Sequence, residues 1–291
     1  MPVDKRLSPA PTTAHKAVLL TAAGALLMAA TNARGADVPS TLPGKAAPPA
    51  TAEERPEHFT YVTRRLSEWK VILGGGVRVA PKYEGSNEFK ALPVPFVSAV
   101  FGDALRVDPR GASVNVFKTH GFSFSARVGY DLGRQEDDSD RLRGLGDIDA
   151  SAVVGARVGY ETGPIEFYTA VNRNIGGSDG FQAKFGADAQ WRYQRFLFTA
   201  GLSGTWADEH YMQSYFGVTA QQSAASGLAV YNIGAGFKRV DAETSLTYLI
   251  DKNWLVRGQV GVGYLIGDAG NSPIVQTKTQ PYGLLTIGYK F

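Results

Sequence analysis

Groups able to do chemistry are few in this chain, and their spacing suits no familiar reaction. The four histidines are His15, His58, His120 and His210, and no two stand at a spacing that would bring both to one metal ion. There is no cysteine, which removes thiolate ligands and disulfides together. Asp208, Glu209 and His210 are adjacent and could supply acid and base to a hydrolase at the rim of a pore. No G-x-S-x-G nucleophile elbow and no phosphate loop is read alongside them, so the triplet reads as solvated loop. GDAGNS, from Gly267, looks like part of a calcium loop but lacks the glutamate and spacing of an EF-hand, and reads as a turn. The expectation is a protein with no catalytic residue, no metal and no cofactor.

The elements that carry the remaining charges are more telling. In FQAKFGADAQWRY, Phe181 to Tyr193, one set of alternate positions is Phe181, Ala183, Phe185, Ala187, Ala189, Trp191 and Tyr193. The other set is Gln182, Lys184, Gly186, Asp188, Gln190 and Arg192. A period of two sends successive side chains to opposite sides of a sheet, so this strand separates an apolar medium from a polar one. Its length exceeds the about five or six residues usual in globular strands and is enough to cross a bilayer at a tilt. Phe196 to Trp206, Trp254 to Ile266 and Ala152 to Tyr160 repeat the pattern. Trp69, Tyr130, Tyr160, Trp191, Tyr193, Trp206, Trp254, Tyr264 and Tyr289 fall near strand ends, where interfacial aromatic girdles belong. A soluble sandwich also alternates, but with shorter strands and its polar face outward.

Lipid leaves no backbone group unpaired, so such strands span only as a closed barrel. The polar set then lines the lumen: Arg127, Arg157, Glu166, Lys184, Asp188, Arg192, Arg239, Asp241, Glu243 and Arg257. Composition agrees, with 34 Gly, 13 Tyr and 15 Phe against 3 Met. Thirty basic and 27 acidic residues leave a net charge of only +3, which gives no reason to expect a nucleic-acid partner.

Lys5, Arg6, His15 and Lys16 precede an uncharged run from Ala17 to Ala30, followed by small residues up to Ala33 and Ala36. This is the layout of a signal peptide over residues 1–33, cleaved after 33 or 36, and the run is shorter than the ~20 residues of a membrane-spanning helix. Residues 34–68, rich in Pro and Ala, read as a periplasmic tether, either a spacer or a docking peptide. The barrel is expected over 69–291. Strands begin at Trp69, Phe89, Phe122, Asp149, Pro164, Phe181, Phe196, Phe237, Trp254 and Pro281. The segment Ala104 to Phe117 splits at Asp108-Pro109-Arg110-Gly111, a sequence of turn residues. Bacterial barrels have an even number of strands, so the count is twelve, with ten as the alternative. Short connections such as Glu161-Thr162-Gly163, Tyr193-Gln194-Arg195 and Asp251-Lys252-Asn253 are expected on the periplasmic side, and the long ones outside.

APKYEGS at Ala80, LPVPFVSAVFGD at Leu92, ADEHYMQSYFGVTAQQSAASGLAVY at Ala207, DAGNSPIV at Asp268 and the terminal IGYKF occur in one order across the barrel. In these motifs the chain resembles the MipA/OmpV family of outer-membrane proteins, the MltA-interacting protein family. The resemblance implies a non-enzymatic barrel in the bacterial outer membrane, in contact with its lipid. One member is a scaffold that joins a lytic transglycosylase to a penicillin-binding protein, so cell-wall hydrolases and synthases are implied partners. Others are surface adhesins. Likeness to outer-membrane barrels in general implies that the C-terminal strand, through Tyr289 and Phe291, is an assembly signal read by the barrel assembly machinery. A small-solute channel, or a surface adhesin acting through the long loops, stands as the alternative to a scaffold.

The loop from Ala207 to Gly236 is too apolar to be merely solvated. Thr219 and Gln222 have capping-box spacing and Gly227 supplies a stop, which predicts a short helix from about Ala220 to Ser226. Tyr211, Tyr215 and Phe216 are expected beneath that helix as a lid on the barrel mouth, or else in the extracellular girdle.

Overall fold

Residues 69–102 and 104–291 are described by the computed structural model. The expected signal peptide and tether lie outside the described residues. Twelve strands follow one another, each antiparallel to the next: β1 Trp69–Pro81, β2 Phe89–Phe101, β3 Leu105–Asp108, β4 Gly111–Thr119, β5 Phe122–Asp131 and β6 Ser151–Thr162, then β7 Ile165–Ile175, β8 Phe181–Tyr193, β9 Phe196–Ala207, β10 Gly236–Leu249, β11 Trp254–Leu265 and β12 Thr279–Lys290. They close into one barrel in sequence order, with β12 against β1. The split at Asp108-Pro109-Arg110-Gly111 separates β3 from β4 and makes the count even. Several strand starts move by one or two residues from the sequence reading, and the last strand begins at Thr279, before Pro281 and Tyr282.

Alternation fixes the two faces. Along β8 and β9, Ala187 pairs with Leu202 and Trp191 with Phe198 on the outer face, while Asp188 pairs with Gly201 on the inner. Leu202 is 66% and Val260 59% exposed. In water such a surface would be an open apolar patch; in a bilayer it is the solvated face. The core in the usual sense is displaced to the loops at one end of the barrel, where the two clusters of buried apolar residues lie.

Closure depends on a close approach. A Cβ at Gly74 of β1 would strike the Ile287 carbonyl of β12, so glycine lets these two backbones meet. The register runs from Ile72 with Lys290 to Val79 with Gly283. Past β12, the Phe291 amide donates to the Val71 carbonyl at 2.9 Å, and its ring packs on Tyr289 at 5.0 Å, which in turn packs on Trp254 at 5.1 Å. Phe291 itself is 69% exposed on the outer side. Its deletion is expected to remove a seam bond and an interfacial ring, leaving unfolded chain in the periplasm with the leader removed. A heat-modifiable band of normal intensity from the truncated chain would refute this.

Short connections at 102–104, 120–121, 163–164, 194–195 and 250–253 share one end with Phe291, and the long ones lie at the other. The long ones are more ordered than turns. Helices α1 (Glu209–Phe216) and α2 (Ala220–Ser226) occupy the longest, and α3 (Gly267–Asn271) stands where a plain turn was expected.

Candidate functional site

The long loops meet over the mouth of the barrel. α2 has its capping box: the Gln222 amide donates to Thr219 Oγ1 at 3.2 Å, and the Thr219 amide donates to Gln222 Oε1 at 2.9 Å. Gly227 ends it in the left-handed region at φ 74°. Gln222 Nε2 also donates to the Leu145 carbonyl at 2.5 Å, tying α2 to the loop after β5.

The aromatic residues are not beneath α2, which buries none of its own side chains. They lie on α1, a helix the capping pattern of α2 gave no sign of. Its own cap is Asp208, whose carboxylate accepts from the Tyr211 amide at 2.9 Å. Tyr211, Met212 and Phe216 point from α1 into a cluster with Ala207, Ile233, Leu265 and Ala269, and Tyr215 packs alongside. Tyr83, Leu142, Leu145, Val218 and Ile274 form a second cluster beside it. These side chains come from the connections after β1, β5, β9 and β11, so they close on one another across the mouth. Arg134 Nη1 donates to the Tyr215 carbonyl at 3.0 Å, and the Tyr215 hydroxyl donates to Asp131 at 3.3 Å.

A buried ionic latch sits under this cap. Lys238 Nζ lies 2.9 Å from Glu84 Oε2, 3.2 Å from the Tyr211 hydroxyl and 4.4 Å from the centre of its ring. Arg239 reaches Glu84 at 3.6 Å and Asp241 at 2.6 Å. Both basic residues point inward because β10 has a bulge between Phe237 and Arg239. Strict alternation would place Lys238 in lipid. Burial pushes the Glu84 carboxyl up, and Lys238 with Arg239 outweighs it, leaving the group below its ordinary value. Burial first, then Glu84 and Asp131, hold the Tyr211 hydroxyl well above its ordinary value, so it stays a neutral donor. Glu84 and Lys238 were missed in the sequence; the signal available was a lysine on the apolar phase of a strand.

Below the latch the charged residues ring the lumen. Arg157 bridges Glu166 at 2.9 Å and Asp188 at 3.7 Å and lies over the Tyr168 ring at 3.7 Å. Glu243 accepts from Tyr282 at 2.6 Å and from Gln259 at 3.2 Å. Lys184 is half-buried opposite Thr205, and Arg127 approaches Asp108 at 3.9 Å. Arg192 and Arg257 line, with Arg106, Glu166, Asp188 and Glu243, a cavity of about 720 Å³ that reaches the short turn at Gly163 and Pro164. Arg157 and Arg239 are thus paired while Lys184, Arg192 and Arg257 make no ion pair among the described residues, and the cavity lies toward the short-turn end.

Among the described residues no cluster of three or more His, Asp or Glu is placed to hold a metal ion. His210 lies on α1 and His120 occupies a tight turn at φ 47°. The G-x-S-x-G spacing does occur, at Gly176 to Gly180, but on the hairpin between β7 and β8, where no helix follows. Ser178 Oγ is buried there with no hydrogen-bond partner.

Residues 73–291, well over half of the chain, match the family of the MltA-interacting protein MipA. The chain belongs to that family. This MipA-family chain is accordingly an outer-membrane β-barrel of twelve strands. No curated protein matches it. Solved structures with some likeness include the Salmonella typhi OmpF complex with daunomycin, at 12% identity and a TM-score of 0.33, covering 72% of this chain and 66% of that one. OprD from Pseudomonas aeruginosa is similar at 9% identity and a TM-score of 0.35, over 76% of this chain and 59% of that one. DcaP of Acinetobacter baumannii is similar at 6% identity and a TM-score of 0.34, over 77% and 96% respectively. The chain thus spans less than two thirds of OmpF and of OprD.

Proposed function

We propose that this protein is a non-enzymatic scaffold of the outer membrane, which offers its periplasmic face to a cell-wall enzyme and does not conduct solutes in its resting state. The observation that carries the reading is the closed cap. Four long connections bury Tyr83, Leu142, Met212, Phe216, Val218 and Ile274 in two adjoining clusters, so the outer mouth is filled by a hydrophobic core. The cavity toward the short-turn end, which this reading places on the periplasmic side, is lined by Glu161, Arg192, Arg257 and Glu243. A face of fixed, mixed charge suits polar contact with a periplasmic protein. The name of the family, MltA-interacting protein, supports a lytic transglycosylase as that partner.

The solubilised full-length barrel is expected to retain a purified MltA-type transglycosylase on an affinity column, in a salt-dependent way. In planar bilayers the same preparation is expected to stay closed, whereas Tyr215→Ala with Phe216→Ala opens steps of conductance without loss of barrel yield. Steady conductance from the unaltered protein, with no transglycosylase retained, would favour the channel reading instead.

A further inference from the structure

β2 has an inner face unlike the charged lumen walls. Ala91, Pro93, Pro95 and Val97 point outward, as a lipid face requires, but the inward set is Leu92, Val94 and Phe96, which the register places opposite Arg78, Gly76 and Gly74 of β1. Ala91, Leu92, Pro93 and Pro95 are all exposed. On its other side β2 meets β3 only from Ala99 to Phe101. β3 ends at Asp108, whose turn to Gly111 brings the hairpin tip level with Ser98. Ala91 to Val97 therefore have a neighbouring strand on one side only, an opening of roughly 20 Å at the usual rise per residue. β5 frames it on the far side, where the Tyr130 hydroxyl donates to the Pro109 carbonyl at 2.6 Å. A Lys90 to Asp138 bridge at 3.0 Å crosses the top. The barrel is closed below and above, with a window in the wall between.

An unpaired strand edge cannot face hydrocarbon without orphaned amides. The β1–β2 ladder is unbroken from Trp69 with Phe101 to Pro81 with Phe89, so the ring nitrogens of Pro93 and Pro95 point to the open side. Two donors are thereby removed where no strand could accept them. The same prolines make this edge a poor template for a partner's β-strand. Positive charge flanks the window: Arg78 is the cross-strand neighbour of Leu92 on β1, and Arg110 and Arg127 stand with the Asp108 carboxylate at the hairpin tip on the lower rim. That carboxylate is 3.9 Å from Arg127 and accepts the Arg110 amide at 2.8 Å. Arg110 is close enough to Arg78 to repel it. The side chains of Arg78, Arg106 and Arg110 have no hydrogen bond or ion pair among the described residues.

We propose that this window is a lateral binding site for a single-chain acyl anion, a fatty-acid carboxylate, taken from the membrane. The chain lies along Leu92, Val94 and Phe96, and the carboxylate sits at Arg78, the cross-strand neighbour of Leu92, within the reach of Arg110. An apolar path one strand wide fits one acyl chain, and unpaired guanidinium groups at its end select a negative head. The site is independent of the scaffold reading and goes beyond it.

The absence of cysteine allows a direct test. Leu92→Cys, labelled with bimane in the refolded full-length barrel, is titrated with 12-doxylstearate, whose nitroxide quenches the dye, and with its uncharged methyl ester. Val77→Cys on the lipid face is the control. Expected are saturable quenching by the acid at position 92 only, and at least tenfold weaker binding both for the ester and after Arg78→Gln with Arg110→Gln. Should the double variant lack the heat-modifiable shift of a folded barrel, Arg110→Gln alone is used, since Arg110 lies on an exposed turn. Quenching that does not saturate, that is equal at position 77, or that ignores the ester and the arginine changes would overturn the proposal.

Discussion

Ala187→Arg is expected to impair assembly, whereas Asp188→Asn one position along leaves it normal. Ala187 lies on the outer face between Phe167 and Leu202, which are 51% and 66% exposed to lipid, near the middle of β8. A guanidinium there has no water and no acceptor, since the neighbouring backbone is committed to the ladder. The cost at the midplane is about 2–4 kcal/mol. Against a total stability of order 5–15 kcal/mol that is a large share, and it is felt earlier, when strands must partition into lipid. Asp188 instead faces the lumen, 3.7 Å from Arg157, and Arg157 keeps Glu166 at 2.9 Å if Asp188 becomes neutral. Heat-modifiable mobility of the two variants side by side reads the difference. Equal yields would mean that the faces of β8 have been assigned the wrong way round.

The second large effect is expected from Lys238→Met. Glu84 is buried, with 16% of its side chain exposed, and removing the 2.9 Å partner leaves it with Arg239 at 3.6 Å, which already serves Asp241. Breaking a buried pair costs about 3–5 kcal/mol, and the remaining arginine puts this case at the low end. The loss falls on the cap, because Glu84 and Tyr211 belong to the long connections that form it. Faster external proteolysis of the long loops is therefore the expected reading, with the barrel itself intact. Adding Glu84→Gln to Lys238→Met should restore most of the protection, since no unpaired charge is then left. A double variant as labile as the single one would show that the pair does not hold the cap.

Acid should act on the same latch. The folded Glu84 group titrates below its ordinary value of 4.5, so its stabilisation is fully present above that value and is lost as pH falls through the lower one. Loop protection that declined instead on raising the pH from 5 to 8 would assign the effect to another group.

The barrel was legible because its information is local. Alternation along Phe181 to Tyr193 needs only neighbouring residues, and a membrane makes one phase apolar throughout. The turn chemistry of Asp108-Pro109-Arg110-Gly111 is equally local and settled the strand count, as the Thr219 to Gly227 pattern settled α2. α1 escaped notice because its apolar residues alternate with polar ones too irregularly, and its meaning lies in what it packs against. Lys238 was misplaced by alternation because a bulge shifts the phase by one residue, and nothing in KRVDAE announces it. LPVPFV was visible as a motif, but its two apolar faces had no interpretation while β3 and β4 were thought to be ordinary neighbours.

By itself, then, the sequence determined that this chain forms a closed membrane barrel of twelve strands with a charged lumen, since period, length and strand parity are properties of segments. Only the tertiary structure decided that the mouth is filled by Tyr211, Met212 and Phe216, that Glu84 and Lys238 meet across 154 positions, and that β2 stands beside a window. These depend on where loops of unequal length end in space. Such endings are fixed by the closing of the whole sheet, which brings residues near both ends of the barrel segment together, and no single segment carries that information.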